Sequence, residues 1–519
     1  MKRRKFLKAA GTAMSVPVLL NGFRLSAMPR RSLFSTLNAD NDRVLVIIQL
    51  NGGNDGLNML IPLDQYDNLA NARLNIIIPE IDILNISDTL GIHPQMGGVL
   101  DLYNSAKLNI IQSVGYPEQN RSHFRSTDIW TSGSPADESW TTGWLGRYFE
   151  SNHGEFPEGY PNEEYPHPFA ITMGSIVSET CQGTAANFSM TLNDPFSLTP
   201  LTQGAPGDVP DTPYGEELEF LRTTIAQSNA YAESITGAAE MGANMVDYPD
   251  GNRLGEQLKN VALLISGGLQ TKVYVVSIGG FDTHANQVEA GKPLVGEHST
   301  LLQNLSEAIA AFQADLQAQS LEQRVVGLTF SEFGRQIRSN DSYGTDHGSA
   351  APLMVFGSCV KPGVLGDNPE IPGQVEPQEG VPMQFDFRDV YGSVLMDWFE
   401  VEEMEIRSLL HEEFQYLPVL QPCTAVNAEE ALNFGKDIEV NSFPNPFRDW
   451  AAIRFHTEGE WVKLSIFNNL GNEIRVLTNR RLPAGQHEVR FEAHGLPAGN
   501  YYFRLQLDGR QKTKRMLKL

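Results

Sequence analysis

The stretch Val44-Leu-Val-Ile-Ile-Gln-Leu-Asn-Gly-Gly-Asn54-Asp55 joins an apolar, β-branched run to a glycine turn and two polar side chains. Such a run is typical of a strand that is buried on both faces of a parallel sheet. Ligands bind outside the carboxyl ends of such strands. The stretch therefore predicts a parallel sheet with Asn54 and Asp55 at its functional edge. The alternative is a tight turn in which these two residues only cap the next segment.

The pattern of an apolar run followed by polar residues recurs along the chain. Strands are expected near 44–50, 107–114, 168–172, 272–278, 324–330 and 352–357. Helical spacing of apolar residues is clearest near 216–240, 252–266, 298–319 and 388–400. This alternation predicts an α/β domain over residues 43–420, with a mainly parallel sheet sandwiched by helices. The stretch 193–214, rich in Pro, Gly, Asp and Thr, predicts a long surface excursion that could form a lid.

Four further polar clusters lie after these runs. They are Arg121-Ser122-His123, Asp282-Thr-His284, Glu332-Phe-Gly-Arg335 and Asp346-His347. Carboxylate and imidazole groups together suit zinc or manganese, and less well calcium. The clusters therefore predict a site for hard or borderline metal ions, with a nucleophile beside it.

Each cluster also has a purely structural interpretation. Ser122 could be only a helix N-cap, and His123 could serve packing or hydrogen bonding. Glu332 and Arg335 could form an ion pair. Arg121 and Arg335 could bind a phosphate or sulfate, although either is as easily a structural residue.

The charge distribution excludes some partners. The chain of 519 residues has a net charge of −24, and residues 1–42 and 440–519 each carry +6, so residues 43–439 carry −36. A body with this charge should repel nucleic acid and anionic membranes and should tolerate divalent cations. The three cysteines, Cys181, Cys359 and Cys423, form no CxxC pair. They allow at most one disulfide, and we expect mostly buried structural thiols.

The N-terminus, residues 1–30, resembles a twin-arginine export signal. The matching residues are Arg3-Arg4-Lys5-Phe6-Leu7-Lys8, followed by a mild apolar stretch through Leu20 that is too short to span a bilayer. The resemblance implies export of the folded chain to the periplasm by the twin-arginine machinery, without a transmembrane span.

The C-terminal part, residues 440–519, changes to alternating apolar and polar residues with frequent turns, which predicts a small β-sandwich. It resembles the C-terminal sorting domain of type IX secretion clients. The residues that match are Pro444-Asn-Pro446, Leu496-Pro-Ala-Gly-Asn-Tyr-Tyr-Phe503 and the basic end from Lys512 to Lys518. The resemblance implies delivery from the periplasm to the cell surface or medium.

The polar clusters together resemble the bacterial family known as domain of unknown function 1501. The shared motifs are Asn-Gly-Gly-Asn-Asp-Gly, Ser-His-Phe, Asp-Thr-His, Glu-Phe-Gly-Arg and Asp-His-Gly, which occur in this order over residues 43–400. That family is grouped with the alkaline-phosphatase-like superfamily, whose members include phosphatases, sulfatases and phosphodiesterases. The resemblance implies an alkaline-phosphatase-like fold and up to two metal ions, which could stabilise both oxygens of an in-line displacement.

The resemblance also implies a role for each cluster. Asp55, Asp346 and His347 would bind one ion, Asp282 and His284 would bind the other, and Ser122 would be the nucleophile. The final histidine of the superfamily pattern is missing, since only His411 follows His347 in the body. Glu332 or His123 could replace it, or the second ion is absent. The sulfatase signature is also missing around Ser122, which disfavours sulfatase chemistry.

The sequence therefore predicts a secreted, metal-dependent hydrolase or transferase that acts on phosphate esters, with sulfate esters less favoured. Its substrate would be a small anionic ester or a glycan. The candidate metal ligands are Asp55, Asp282, His284, Asp346, His347 and Glu332, and the candidate substrate-binding residues are Asn54, Arg121, His123 and Arg335. The alternative is a non-catalytic exported protein that binds an anion or glycan and uses its metal site for structure.

Overall fold

A computed structural model describes residues 18–20, 23–25, 42–198, 212–423, 440–457, 459, 461–467, 473–507 and 510–519. Most of the expected signal over residues 1–30 lies outside the described residues, which include there only β1 (Val18–Leu20) and β2 (Phe23–Leu25). The expected lid lies outside them from 199 to 211. The chain divides into two compact units, residues 1–423 and 424–519.

The first unit alternates strands and helices. Its remaining strands are β3 (Val44–Asn51), β4 (Leu60–Pro62), β5 (Leu84–Asn85), β6 (Leu90–Ile92), β7 (Leu108–Gly115), β8 (Ala170–Met173), β9 (Ser189–Leu192), β10 (Val273–Gly279), β11 (Val325–Phe330), β12 (Arg335–Ser339), β13 (Thr345–His347), β14 (Ala351–Phe356), β15 (Gly363–Leu365) and β16 (Phe385–Asp386). Its α-helices are α1 (Gly56–Met59), α2 (Tyr66–Ala72), α3 (Gly97–Asn104), α4 (His123–Ser132), α5 (Trp144–Asn152), α6 (Pro213–Met241), α7 (Arg253–Ser266), α8 (Glu297–Ala318), α9 (Phe387–Phe399) and α10 (Glu403–Leu409).

The main sheet has the strand order β15-β7-β14-β11-β3-β10-β8-β9, and β16 also pairs with β7. Every pairing is parallel except those of β14, which runs antiparallel to both β11 and β7. The predicted α/β class with a mainly parallel sheet is therefore confirmed. β14 follows β11 through the hairpin β12–β13 with no helix between them, whereas a parallel neighbour usually requires a helical crossover.

The two faces of β3 enter two separate apolar cores. Val46, Ile48 and Leu50 pack into one core with residues of α3, α7 and α8. Leu45 and Ile47 pack into the other core with residues of α4, α5 and α9. Successive side chains of a strand point to opposite faces, so the apolar run from Val44 to Ile48 reflects helices on both sides of the sheet.

The cysteines differ in part from the expectation of buried thiols. Cys359 and Cys423 form a disulfide that spans a sequence separation of 64. Cys181 is a buried free thiol, and burial raises its pKa. The disulfide ties the last residue of the first unit to the loop that follows β14.

The second unit is an antiparallel β-sandwich. Its strands are β17 (Val440–Phe443), β18 (Trp450–Thr457), β19 (Trp461–Phe467), β20 (Glu473–Arg481), β21 (Gly485–Glu492), β22 (Gly499–Leu507) and β23 (Arg510–Lys518). They form two sheets, in the orders β17-β18-β21 and β20-β19-β22-β23. Alternate residues such as Leu464, Ile466, Phe503 and Leu505 fill the core between the sheets. In the described part of the chain, no helix is both long and apolar enough to cross a membrane.

Candidate metal centre

The carboxyl ends of three neighbouring strands, β11, β3 and β10, define the candidate site. These strands are parallel, with Thr329 and Val276 both opposite Ile48, so their ends lie side by side. The loops that follow contain Gly52–Asp55, Phe281–His284 and Ser331–Glu332. The strand β7 leads to α4, which begins at His123, and the hairpin β12–β13 brings His347 opposite Arg335.

The glycine turn after β3 allows the loops to approach closely. Gly52 and Gly53 have φ of +122° and +78°, a region that favours glycine. A Cβ on Gly52 would lie 2.3 Å from the backbone nitrogen of Asp282. Any side chain at position 52 would therefore push the β3 and β10 loops apart.

Arg335 holds these loops together from within. It is almost fully buried, and its guanidinium donates to the carbonyl oxygens of Gly53 (2.6 Å), Thr345 (2.9 Å) and Phe281 (2.8 Å) as well as Gly52. Its Nη2 also donates to Oδ1 of Asp282 at 2.8 Å. Because these acceptors occupy the guanidinium, Arg335 is a positioning residue and is not available to a substrate anion, contrary to the role expected from the sequence.

Three histidines direct their Nε2 atoms at one carboxylate oxygen. The distances to Oδ1 of Asp282 are 3.4 Å from His123, 3.1 Å from His284 and 3.2 Å from His347. The Nε2 atoms of His284 and His347 are 2.9 Å apart. Potential ligand atoms of His123, Asp282 and His347 all lie within 4.8 Å of one another.

Each imidazole is oriented through its other nitrogen. Nδ1 of His123 lies 2.8 Å from Oε1 of Glu332, and Nδ1 of His284 lies 2.8 Å from Oδ1 of Asp346. Nδ1 of His347 lies 2.8 Å from the carbonyl oxygen of Arg121. A carbonyl or an ionised carboxylate only accepts, so each Nδ1 donates a proton and each neutral ring keeps its lone pair on Nε2.

This arrangement suits a cation. Nε2 of His123 is buried and has no hydrogen-bond partner among the described residues, and an unpaired buried polar atom costs about 1–3 kcal/mol. The lone pairs of His284 and His347 repel at 2.9 Å unless a positive charge lies between them. Three imidazole nitrogens and one carboxylate oxygen are a donor set that zinc binds. Metal-binding histidines also commonly donate their second nitrogen to a carboxylate or carbonyl. The residues present therefore fit a divalent ion.

The ionisation states agree with this interpretation. Burial raises the pKa of Asp282, but interactions led by the hydrogen bond from Arg335 outweigh it and bring the pKa to about 2. Burial also raises the pKa of Asp346, but hydrogen bonds from His284 and Asn340 oppose it, and the pKa is lowered on balance. Burial lowers the pKa of His347. At neutral pH these side chains are in the deprotonated forms that bind metals.

The structure changes the roles expected of Asp346 and Glu332. Neither carboxylate joins the group around Oδ1 of Asp282, because each lies behind a histidine and accepts from its Nδ1. Glu332 is also fixed by the backbone N–H of Gly52 at 2.8 Å. His123, for which the sequence left both substrate contact and replacement of the missing final histidine open, stands among the potential ligands.

Asp55 and Asn54 belong to a separate, buried network. The carboxylate of Asp55 accepts from Nη1 of Arg73 at 2.9 and 3.1 Å and from Nε2 of Gln287 at 2.6 Å. Burial raises the pKa of Asp55, but the charge of Arg73 outweighs this and lowers it. The amide oxygen of Asn54 lies 2.9 Å from Nε2 of His298. With these partners, Asp55 is a structural carboxylate and Asn54 is not exposed to a substrate.

The remaining candidates lie around the start of α4 and in the α9–α10 region. Ser122 is the exposed N-cap of α4 and makes no side-chain capping bond. Arg121 is half-buried, and only its carbonyl oxygen contacts the cluster. His411 does not join the site, because its Nε2 pairs with Asp389 at 2.9 Å.

Sequence reasoning missed two residues that support the site. Asn340 donates to Oδ1 of Asp346 at 3.2 Å and to the carbonyl oxygen of His284 at 2.8 Å. Phe333 packs its ring against His123 and His347, at centroid distances of 4.9 and 4.7 Å. Phe333 lies inside the Glu-Phe-Gly-Arg motif, so its position was a usable signal. Asn340 lies in an ordinary turn and offered none.

Family models match two parts of the chain. The model described as protein of unknown function (DUF1501) matches residues 234–391, and the model of a secretion system C-terminal sorting domain matches residues 441–518. The resemblances to domain of unknown function 1501 and to the type IX sorting domain are thereby confirmed. The first match includes Asp282, His284 and His347 but stops short of His123 and Asp55. The sorting domain marks the chain for export to the cell surface or for release.

Solved structures offer more distant likenesses, and no curated protein matches the chain. Latent PorU from Porphyromonas gingivalis is 19% identical over 15% of this chain and 9% of that chain, with a TM-score of 0.14. The chain thus spans only about a tenth of that relative. A protein in the alkaline phosphatase superfamily from Vibrio parahaemolyticus is 9% identical over 85% and 82% of the two chains, with a TM-score of 0.32. The phosphonate monoester hydrolase of Silicibacter pomeroyi is 9% identical over 92% and 89%, with a TM-score of 0.29.

Proposed function

We propose that the chain is a secreted metal-dependent hydrolase or transferase of phosphate esters, with sulfate esters as a less favoured substrate. The observation that supports this proposal is the convergence of three Nε2 atoms on Oδ1 of Asp282, each ring held by its Nδ1. We assign His123, His284, His347 and Asp282 as the residues that hold one divalent ion, zinc or manganese. Asp55 is paired with Arg73, which favours one ion over two.

A divalent ion held there would supply positive charge to neutralise the oxygens of the transferring group. The chain's own residues keep its ligands in place: Arg335 fixes Asp282, Glu332 fixes His123, and Asp346 fixes His284. Because the supporting groups are themselves hydrogen-bonded, little reorganisation is needed when the substrate binds.

Ser122 is the nucleophile in this proposal, and water is the alternative. Ser122 is exposed, and its side chain has no hydrogen bond among the described residues. Its neighbour His123 begins α4, a ten-residue helix whose first N–H groups favour an anionic group. The side chain of Arg121 could bind the non-bridging oxygens of the ester.

Export would proceed in two stages. We propose that the twin-arginine signal first takes the folded chain to the periplasm and that the type IX machinery then delivers it outside. Replacing Arg3 and Arg4 by Lys should block the first stage, because Lys lacks the planar guanidinium. Cell fractionation measures this effect. Unchanged export of the variant would contradict the first stage.

One observation favours a non-catalytic alternative. Four protein ligands would fill a tetrahedral zinc site, and closed four-ligand sites are usually structural. The chain would then be an exported anion- or glycan-binding protein with a structural metal site. A fifth position, or displacement of one histidine by substrate, is required for catalysis.

The decisive experiment combines metal analysis with a substrate screen. Purified protein is assayed on generic phosphomonoesters, phosphodiesters and sulfate esters, with and without zinc and manganese. We expect Ser122→Ala to abolish turnover while metal content is retained, and Asp282→Ala to lose both. Activity that survives in Ser122→Ala but not in Asp282→Ala would assign water as the nucleophile. A firmly bound ion with no turnover on any ester class would favour the structural alternative.

A further inference from the structure

A large cleft lies beside the metal centre at the same edge of the sheet. This side cleft has a volume of about 1410 Å³ and is formed by the ends of β8, β9 and β10 together with α6, α7 and α8. Pockets for small molecules usually measure about 300–1,000 Å³. The side cleft is therefore large enough for an extended ligand.

The side cleft and the metal centre share the end of β10. Ile278 and Gly279 line the cleft, and Asp282 follows three residues later. Leu301, another lining residue, lies 3.4 Å from the position that a Cβ on Gly280 would take. A chain-like ligand lying across the end of β10 would therefore reach both places.

The lining offers hydrogen-bonding side chains and one aromatic ring. Asn193 and Asn304 form no side-chain hydrogen bond within the part of the chain that the structure describes. An amide provides a donor and an acceptor at once, which matches a sugar hydroxyl. Phe196 also lines the cleft and is 59% exposed, so its ring can stack on the apolar face of a sugar.

The charge of the lining disfavours a polyanion. Asp194, Glu240 and Glu256 are acidic, whereas Arg253 and Lys259 are basic, so the cleft is close to neutral. It lies within the part of the chain that carries −36 in total. A long anionic chain would be repelled by this body, whereas uncharged, hydroxyl-rich rings would not.

We propose that the side cleft binds the uncharged sugar rings of a carbohydrate chain, and that the ester carried by this chain reaches the metal centre. The inference rests on the proposed function, because it names the class of substrate. An extended peptide or an anionic polymer is the competing occupant.

A binding panel tests the proposal on the full chain. Soluble neutral polysaccharides (a β-glucan, a mannan, a galactan and a xylan) are compared with dextran sulfate by affinity electrophoresis. We expect at least one neutral polymer to bind, and Phe196→Ala and Asn304→Ala each to weaken its Kd about tenfold. Phe443→Ala, which removes an exposed phenylalanine of the second unit, is the matched control and should change nothing.

A further variant tests whether the ligand lies across the end of β10. Gly279 is exposed, and a Cβ there would meet no atom within 4 Å, so Gly279→Phe should fold and place a ring at the cleft wall. We expect it to weaken binding of the neutral polymer at least tenfold. The proposal would be overturned if the protein bound only dextran sulfate or bound no polymer. It would also be overturned if the variants bound the neutral polymer with the same affinity as the parent chain.

The failure of this proposal can be distinguished from failure of the proposed function. Protein treated with a chelator should still bind the neutral polymer, because the cleft is built without the metal ligands. Binding without turnover of any ester would refute only the hydrolase. Turnover of small esters without carbohydrate binding would refute only the side cleft.

Discussion

Two polar networks of similar composition lie at the carboxyl edge of the same sheet. The buried network consists of Asn54, Asp55, Arg73, Gln287 and His298. In it, the carboxylate of Asp55 has three hydrogen bonds, and both ring nitrogens of His298 have partners at 2.9 Å. In the metal centre, by contrast, Nε2 of His123 has no hydrogen-bond partner among the described residues.

The difference suggests a criterion by which a structural carboxylate can be distinguished from a candidate ligand. Asp55 and Asp282 both follow a strand, and both are ionised beside an arginine. The neighbours of Asp55 donate hydrogen bonds to both of its oxygens, whereas three ring nitrogens face one oxygen of Asp282. Residue type and position after a strand are therefore not sufficient, and the hydrogen-bond partners decide.

The largest expected effect concerns the buried network. Arg73→Leu should lower the free energy of unfolding by about 3–5 kcal/mol, because it leaves the buried charge of Asp55 unpaired. Chemical denaturation measures this change. Arg121→Leu is the control and should cost less than about 1 kcal/mol, since no ion pair of Arg121 exists among the described residues. Equal losses in the two variants would show that the networks do not differ as described.

Zinc should stabilise the protein through the metal centre. At a free concentration one hundred times the Kd, binding to the folded state alone adds about 2.7 kcal/mol to the free energy of unfolding. Thermal denaturation with and without zinc measures this effect. His284→Ala should reduce the stabilisation, whereas Arg73→Leu should retain it. A stabilisation that is unchanged in His284→Ala would contradict the ligand assignment.

The supporting carboxylates should have a smaller effect than the ligands. Asp346→Asn keeps an acceptor for Nδ1 of His284 but removes the negative charge, so we expect zinc affinity to fall about 10–100-fold. Competition with a chromogenic chelator gives this ratio. Asp341→Asn, an exposed acid in the same hairpin, serves as the control. If both variants bound zinc like the parent chain, Asp346 would have no supporting role.

The buried network should also respond to pH. Burial lowers the pKa of His298 from 6.5 to about 4, so between these values the unfolded state binds a proton that the folded state does not. The free energy of unfolding should therefore fall as the pH decreases from 6.5 to 4, with a slope of up to about 1.4 kcal/mol per pH unit from this residue. His298→Gln should reduce the slope. An unchanged slope would place the titrating group elsewhere.

The strands and helices around the site were predicted well from the sequence, because apolar periodicity is a local property. The six predicted strands and four predicted helices are all present, with ends within three residues of those expected. The roles of individual residues within the site were harder to predict. Whether Asp346 lies beside a metal or behind His284 depends on which ring nitrogen faces it, and sequence spacing does not encode that choice.

The partner of Asp55 could not be predicted from the sequence for a similar reason. Arg73 lies 18 residues further along the chain, outside any motif, and reaches Asp55 through the fold. The hairpin β12–β13 likewise places His347 opposite Arg335 by backbone pairing. Such contacts between distant segments decide which members of a list of polar clusters are candidate ligands and which are candidate supports.

The disulfide has a mechanical consequence for a chain with a sorting domain. A force applied to the second unit would reach the first unit at Cys423, its last residue. The disulfide would pass this force directly to Cys359, three residues after β14, and would bypass residues 360–422. In the oxidised protein, the force would therefore act on the main sheet before it could detach the segment after α10. The oxidised protein should resist mechanical unfolding better than the reduced one.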